Sequence, residues 1–336
     1  MRLDDFDDDV LGIVASYATD DADSVVVYNV CRRLRRAIVG CLVRCGPSAL
    51  ISACRVGHVG LVRDVLADRQ RLDPGAHGNA AIRWAASKGH VQVVRMLLED
   101  GRVDPSANDG DAIQCAAIEG HADVVAVLLA DPRVDPTAHD HATIRWAVRW
   151  GREDVVRCLL KDGRADPGAH GNFAIQDAAS EGFDGVVQEL IRDARVDPGA
   201  NNSFALRGAS ANGHVRVVQV LLKDARADSS SDDNYALRWA ACNGHADVVQ
   251  VLLGDPRVDP GADHSWAMRH AACNGHVQVV HLLLEDGRSD PGADDNFAIR
   301  EASRWGFTAV VDLLRADGRV DPNAVRVPWL THTRQR

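Results

Sequence analysis

The fold of this chain is decided by a stretch that recurs with variations, and its clearest copy is residues 234–253, NYALRWAACNGHADVVQVLL. Before Gly244, the apolar residues are spaced to share one face of a helix: Ala236, Leu237, Ala240 and Ala241. After it, Val248, Val249, Leu252 and Leu253 fall on one face of a second helix. Glycine is the residue that most easily adopts the left-handed conformation that ends a helix. The stretch therefore predicts a helix–turn–helix unit.

This unit repeats along most of the chain. The glycine recurs at positions 57, 89, 120, 151, 182, 213, 244, 275 and 306, with one step of 32 residues followed by steps of 31. Helices of about ten residues are not stable alone, so neighbouring units must stack to bury their apolar faces. We predict an all-α solenoid of about nine 31-residue repeats over residues 47–324, without a β-sheet. We count positions from the glycine and expect helices to start near position −9 and to stop near the glycine.

The connection between repeats is polar and contains Asp-Pro, as at Asp259-Pro260, which ends the helix and turns the chain. Position −10 carries Asn or Ser in most copies, and these side chains are predicted helix N-caps: Asn79, Asn172, Ser203, Asn234, Ser265 and Asn296.

Composition excludes several classes of protein. The net charge of −10 argues against a general nucleic-acid or anionic-membrane surface, and no apolar run approaches the roughly 18 residues of a membrane span. The acidic start at Asp4, Asp5 and Asp7 is unlike a secretory or mitochondrial signal. The eight Cys lack CxxC spacing, which favours reduced and mostly buried thiols. We expect an intracellular monomer, cytoplasmic or nuclear.

The repeat resembles the ankyrin repeat, and the segment from Ala240 to Leu253 carries its most recognisable portion. Two features depart from the family: the period is about two residues below the usual 33, and Tyr235-Ala236-Leu237-Arg238 stands where Thr-Pro-Leu-His is expected. The resemblance implies a module that binds protein partners and is not an enzyme.

Residues 1–43 resemble an F-box, a small helical domain. An acidic start leads into an apolar helix near Val10, and the later run Val30-Cys31-Arg32-Arg33-Leu34 is similar to the Val-Cys-Arg-Arg pattern of that family. Asp7 stands where Pro is expected, and Leu34 where Trp is common. The resemblance implies docking onto the Skp1 adaptor of a cullin-type ubiquitin ligase, with the repeats holding an unknown protein substrate. The Skp1-binding candidates are Val10, Leu11, Val14, Leu34 and Ile38.

Pairing an F-box with ankyrin repeats is similar to multigene families of giant DNA viruses, in which case the protein would act in the host cytoplasm. The alternative is a plain ankyrin scaffold in which residues 1–43 only cover the apolar end of the first repeat. At the other end, residues 325–336 are expected to fold back on the last repeat as a short cap, because Trp329 is apolar within a basic tail.

Aromatic side chains concentrate at three repeat positions, −9, −5 and −1. Positions −9 and −5 lie on one helix face, opposite the core stripe. The regular aromatics at −9 favour packing between repeats, whereas the irregular tryptophans at −5 and −1 are typical of recognition residues. The partner-binding candidates are Trp84, Trp146, Trp150, Trp239, Trp266 and Trp305.

Two other patterns are interpreted as structural. Arg or Gln at position −6, as at Arg238, and the Asp before each Pro indicate a ladder of charges that joins repeats; stacked Arg gripping an acidic peptide is the alternative. Cys242 with His245 and Cys273 with His276 suggest metal or thiol chemistry, but His follows the glycine in other copies without Cys, and zinc needs closer ligands. We therefore expect no metal, no cofactor and no catalytic site, and interpret the histidine as a residue that bonds the turn backbone.

Overall fold

The computed structural model describes residues 47–67, 72–321 and 324. These residues form eighteen helices and no strand, arranged as nine helix pairs, so the predicted all-α helix–turn–helix architecture is confirmed for them. The first helices of the pairs are α1 (Pro47–Val56), α3 (Ala76–Ser87), α5 (Ala107–Glu119), α7 (Ala138–Arg149), α9 (Ala169–Glu181), α11 (Ala200–Ala211), α13 (Ser231–Cys242), α15 (Ala262–Cys273) and α17 (Ala293–Trp305). The second helices are α2 (Val59–Ala67), α4 (Val91–Asp100), α6 (Ala122–Leu129), α8 (Glu153–Asp162), α10 (Asp184–Ile191), α12 (Val215–Leu222), α14 (Ala246–Leu253), α16 (Val277–Asp286) and α18 (Thr308–Ala316).

The chain divides into two compact units, residues 1–166 and 167–336. In the first unit, α1, α3, α5 and α7 pack side by side in one layer, and α2, α4, α6 and α8 form a second layer. In the second unit, the first helices α9 to α17 and the second helices α10 to α18 are layered in the same way.

The core lies between the two layers, where the spacing of apolar residues places it. In α13 the side chains of Ala236, Leu237, Ala240 and Ala241 are buried, and in α14 so are Val248, Val249 and Leu252. Leu253 was expected on the same buried face but is only half-buried. Alanine at three of four positions on α13 allows a neighbouring helix to approach closely, and leucine or valine fills the space between.

Each first helix from α3 onward begins with three residues in the left-handed region, such as Asp232, Asp233 and Asn234 in α13, with φ of 56°, 54° and 59°. The right-handed helix then starts at position −9, as predicted. The predicted N-cap role of position −10 is wrong, because the six side chains assigned to it accept hydrogen bonds from backbone N–H groups 25 residues later. A capping residue normally has extended backbone, and the left-handed backbone carries these side chains elsewhere.

The position −10 side chain instead joins neighbouring repeats. Asn234 Oδ1 accepts a hydrogen bond from the backbone N–H of Asp259, 25 residues later, at 2.8 Å. Six more pairs repeat this bond: Asn79–Asp104, His141–Asp166, Asn172–Asp197, Ser203–Asp228, Ser265–Asp290 and Asn296–Asp321. The bond ties the Asp-Pro connection of one repeat to the left-handed turn of the repeat before it.

A second link between repeats comes from the Asp-x-Arg sequence that follows the second helix. Arg226 holds both carboxylate oxygens of Asp224 through Nε and Nη2, and its Nη1 donates to the carbonyl oxygen of Val196 at 2.8 Å. The hydrogen bond from Arg226 lowers the pKa of Asp224 below its ordinary value. Six other arginines reach the carbonyl 30 residues earlier in the same way: Arg102, Arg133, Arg164, Arg257, Arg288 and Arg319. The sequence analysis did not assign this role, although Asp-x-Arg recurs in the sequence.

Two expectations fall outside the part of the chain that the structure describes. The F-box-like domain, residues 1–43, with its candidates Val10, Leu11, Val14, Leu34 and Ile38, is one, and the capping tail, residues 325–336, is the other. Among the described helices, none is both long enough and apolar enough to cross a membrane.

Candidate functional site

A continuous row of rings lies on the first helices of the second unit. It consists of Phe204, Tyr235, Trp239, Trp266, His270 and Phe297, which we call the aromatic row. The helices α11, α13, α15 and α17 each present position −9, and two of them also present a ring at position −5, one helical turn later. Because neighbouring first helices pack side by side, the equivalent positions of successive repeats meet.

The rings contact one another within and between repeats. Tyr235 and Trp239 on α13 have centroids 5.6 Å apart, and Trp239 lies 5.9 Å from Trp266 on α15. The imidazole of His270 stacks on Trp266 at 3.6 Å, with 12° between the ring planes, and lies 6.4 Å from Phe297 on α17. The other three separations fall within the range of roughly 4.5–7 Å for favourable aromatic pairs, and the imidazole of His270 lies closer, stacked face to face on Trp266.

Arginines at position −6 lie between the rings. The guanidinium of Arg207 is 5.6 Å from the centroid of Phe204 and 4.9 Å from that of Tyr235, which places it within cation–π distance of both. Arg238 over Trp266 and Arg269 over Phe297 repeat the arrangement at 5.5 and 5.6 Å. The arginines therefore connect each repeat to the ring of the next.

The carboxylates that pair with these arginines are not the predicted ones. Arg238 bonds Asp263 at 3.3 Å, and Arg207–Asp232 and Arg269–Asp294 are equivalent pairs. These aspartates lie in the left-handed turn of the next repeat, not before the proline. The carboxylate of the Asp before Pro instead accepts a hydrogen bond from a backbone N–H two residues later, as Asp259 Oδ1 does from Gly261 at 2.9 Å. The prediction of a charge ladder between repeats is correct, but its acidic partner was wrong.

The row is partly covered and partly open. Trp239 is 36% exposed and Phe204 is 43% exposed, whereas Tyr235, Trp266 and Phe297 are half-buried. The half-buried rings agree with packing between repeats, but Phe204 and Phe173 at the same position are exposed, so the packing interpretation of position −9 is wrong for these two. Exposed rings over paired charges make a surface that is apolar and locally neutral.

His270 contributes the imidazole of the row. Burial lowers its pKa below the ordinary value, although its Nδ1 lies 3.0 Å from the carbonyl oxygen of Trp266 and that bond acts in the opposite direction. The uncharged imidazole is thus favoured against Trp266. Sequence reasoning missed His270 because only Phe, Trp and Tyr were counted, although its place at position −5, four residues after Trp266, was available as a signal.

The structure does not bring all the candidate tryptophans together. Trp239 and Trp266 belong to the aromatic row. Trp84, Trp146 and Trp150 lie in the first unit and are exposed, and no ring contact joins them within the described residues. Trp305 ends α17, is 61% exposed, and has the guanidinium of Arg304 5.8 Å from its ring.

The Cys–His pairs have structural partners instead of reactive ones. His276 Nε2 lies 2.8 Å from the carbonyl oxygen of Cys242, in the preceding repeat, so the histidine does bond turn backbone as interpreted. Burial raises the pKa of Cys242 and of Cys273, which disfavours a thiolate.

Cys54 is fully buried, but the other four described Cys are only half-buried, so the expectation of mostly buried thiols was too strong. In the described ranges, no three His, Cys, Asp or Glu side chains are grouped to hold a metal ion.

Comparison with known proteins agrees with this architecture. A family model described as ankyrin repeats in three copies matches residues 24–109 and 175–264, which together exceed half of the chain. A second model, described as the ankyrin repeat, matches residues 144–172 and 268–296. The first match starts inside the segment 1–43 that resembles an F-box, and no F-box model matches. No curated protein matches the chain.

Proposed function

This chain belongs to the ankyrin-repeat family, and from that premise we propose that it is a protein-interaction scaffold whose second unit binds a partner through the aromatic row. Ankyrin repeats bind protein partners and are typically scaffolds without catalytic activity. The observation that carries the proposal is the exposure of Trp239 within a series of contacting rings. Tryptophan and tyrosine held rigidly by their neighbours are the side chains that most often dominate binding energy at protein interfaces.

The charges on the row favour an uncharged patch of the partner. An acidic peptide would need to take the guanidinium groups of Arg207, Arg238 and Arg269 from their aspartates. Arg238 and Arg269 also donate to the backbone carbonyl oxygens of Asp232 and Asp263 at 2.9 Å. With these donors occupied, apolar contact with the rings is the main interaction that the surface offers. The acidic-peptide alternative is therefore the less favoured one.

The remaining candidate tryptophans are proposed as additional contacts. Trp84, Trp146 and Trp150 offer exposed rings on the first unit, and Trp305 offers one at the end of α17. Isolated rings of this kind contribute less than a cluster, because rings at the edge of an interface remain in contact with water.

We further propose that residues 1–43 connect this scaffold to a ubiquitin ligase. On this proposal, Val10, Leu11, Val14, Leu34 and Ile38 dock on a Skp1-like adaptor while the repeats hold the substrate. The support is the sequence resemblance of residues 6–36 to an F-box, above all Val30-Cys31-Arg32-Arg33. Apolar anchors on short helices are a common means of such recognition.

A plain scaffold is the second candidate, and one observation favours it. The ankyrin family model already matches from residue 24, so it overlaps the second half of the F-box-like segment. A segment that continues the repeat pattern would cover the apolar end of the first repeat, as terminal repeats do in solenoids.

The partner surface is tested by comparing the proteins that the full chain captures with those captured by Trp239→Ala/Trp266→Ala. The matched control is Phe173→Ala, which removes an exposed ring that lies outside the row. We expect the double variant to lose specific partners that the control retains, with both variants folded by circular dichroism. Equal capture by wild type and double variant would exclude the row as the partner surface.

The ubiquitin-ligase proposal is tested by Leu11→Asp in the full chain, with purified Skp1 as the probe. If residues 1–43 are an F-box, the variant loses Skp1 binding while its repeats keep the melting temperature of the wild type. If the segment is only a terminal cap, neither the wild-type chain nor the variant binds Skp1, and the variant has a lower melting temperature. That outcome leaves the plain scaffold.

A further inference from the structure

The outer surface of the last three repeats carries a groove of about 770 Å³ that the aromatic row does not use. It lies on the second helices α14, α16 and α18, whereas the row lies on first helices. Its floor is apolar, with Val277, Leu282 and Leu313 among the lining residues. Val277 is 38% exposed, one of the few large aliphatic side chains in the described ranges that is so open. A continuous apolar groove of this kind is commonly a docking surface.

The rim of the groove is acidic. Asp247 on α14 and Asp312 on α18 both line it and are exposed. Neither carboxylate forms a hydrogen bond or an ion pair with any other residue that the structure describes. An occupant with apolar side chains and positive charge would complement both the floor and the rim.

The chain itself contains such a segment directly after α18. Residues 325–336 read VRVPWLTHTRQR, which combines four aliphatic or aromatic side chains with Arg326, Arg334 and Arg336 and has no acidic residue. Pro328 disfavours a helix here, so the segment suits an extended peptide.

The groove is also within reach of this segment. Ala316, the last residue of α18, lines it, and only eight residues separate Ala316 from Val325. Twelve extended residues span up to about 40 Å, whereas three adjacent helices at 8–10 Å spacing extend over roughly 20 Å. The end of α18 therefore lies beside the surface that the segment would cover.

We propose that residues 325–336 dock in the groove on α14, α16 and α18, with Trp329 on its apolar floor and the arginines near Asp247 and Asp312. This places the C-terminal segment along the side of the last three repeats, and not over the end of the last repeat alone. The docked segment protects an apolar surface that would otherwise be open to a second copy of the chain.

The test is the rate of hydroxyl-radical oxidation of Trp329 in the full chain, followed by mass spectrometry. Trp305, with 61% of its surface exposed, is the internal standard for an open tryptophan. We expect Trp329 to be oxidised at least threefold more slowly than Trp305. Equal rates for the two tryptophans in the wild-type chain would overturn the proposal.

Two variants test whether the groove is what protects Trp329 from oxidation. Leu313→Lys places a charge on the floor, and Asp247→Arg/Asp312→Arg reverses the rim without touching the core. Both should raise the oxidation of Trp329 toward that of Trp305. Asp123→Arg, at the position of α6 equivalent to Asp247, is the matched control and should change nothing. Protection that survives both groove variants, or that appears only at high protein concentration as expected for a second copy, would contradict docking within one chain.

Discussion

The ring of His276 lies against Gly244 of the preceding repeat, so close that a Cβ atom added to the glycine would come within 2.6 Å of Nδ1. Gly244, which follows α13, thus has two functions. It adopts a left-handed backbone, with φ of 78° at Gly244, and it leaves the space that the next repeat's side chain fills. His90, His121, His214 and His245 occupy the same place beside the glycine of four other repeats, whereas Arg152 lies beside Gly120 and Phe307 beside Gly275.

Two single variants, Gly244→Ala and Gly287→Ala, separate these two functions. Both glycines have a left-handed φ, but nothing lies within 4 Å of a Cβ built on Gly287. The left-handed backbone alone costs alanine about 1–2 kcal/mol. We expect Gly287→Ala to show only this loss and Gly244→Ala to lose roughly twice as much, measured from urea unfolding midpoints. Equal losses would show that the histidine contact contributes nothing to stacking.

Position −10 offers a test of the hydrogen bond between repeats. Asn234→Ala removes the acceptor of this part-buried hydrogen bond, worth about 0.5–1.5 kcal/mol. Alanine in the left-handed backbone of this position costs about 1–2 kcal/mol more. Asn234→Ser should be close to neutral, because Ser203 and Ser265 make the same bond at the same position with a left-handed φ. Hydrogen exchange of the Asp259 amide reports the bond directly. Unchanged exchange in the alanine variant would contradict the assignment.

The Asp-x-Arg links predict a loss of stability in acid. Hydrogen bonds from arginine lower the pKa of seven such aspartates, Asp131, Asp162, Asp193, Asp224, Asp255, Asp286 and Asp317. Since the folded pKa lies below the unfolded value near 3.8, these groups stabilise the fold fully above that pH, and the stabilisation disappears as the pH falls through the folded pKa. We expect melting temperatures to be level near neutral pH and to fall steeply below about pH 4.

One link can be tested alone with Arg226→Lys. Lysine keeps the charge but cannot hold both carboxylate oxygens of Asp224 and the carbonyl of Val196 together, so we expect a loss of about 1 kcal/mol. Arg192→Lys is the control, because Arg192 makes only an exposed contact with Glu189 on its own helix and should change stability by less than about 0.5 kcal/mol. Similar urea unfolding midpoints for the two variants would show that this link does not stabilise the fold.

Thiol labelling distinguishes the cysteines of the repeats. Burial raises the pKa of Cys54 to about 12, and its side chain has no exposed surface. Because the thiolate is the reactive form, Cys54 should resist alkylation in the native chain and react only on unfolding. Half-buried Cys273 should react faster, which peptide mass spectrometry would show. Rapid native labelling of Cys54 would mean that the first repeat opens readily.

How far the sequence predicts this molecule depends on the range of each interaction. Burial of Ala240 or Val248 follows from local periodicity, because one face of a short helix has to be apolar. The partner of Asn234 could not be found in this way, since its acceptor oxygen bonds an amide 25 residues away and the left-handed turn that directs it has no simple sequence signal. The contact of Trp239 with Trp266 likewise depends on how α13 and α15 pack. Position −9 was assigned to packing, yet Phe204 is exposed, because its arginine neighbour covers only part of the ring.

The affinity of one captured partner for single variants of the aromatic row tests most directly whether the row is the partner-binding surface. Equilibrium titration of Trp239→Ala and of Trp266→Ala should each show a loss of roughly thirtyfold, which corresponds to about 2 kcal/mol for an interface anchor. Phe173→Ala, whose ring is exposed but outside the row, should change the affinity less than about twofold. A loss of affinity in Phe173→Ala with none in Trp239→Ala or Trp266→Ala would contradict this proposal, because it would place the partner away from the row.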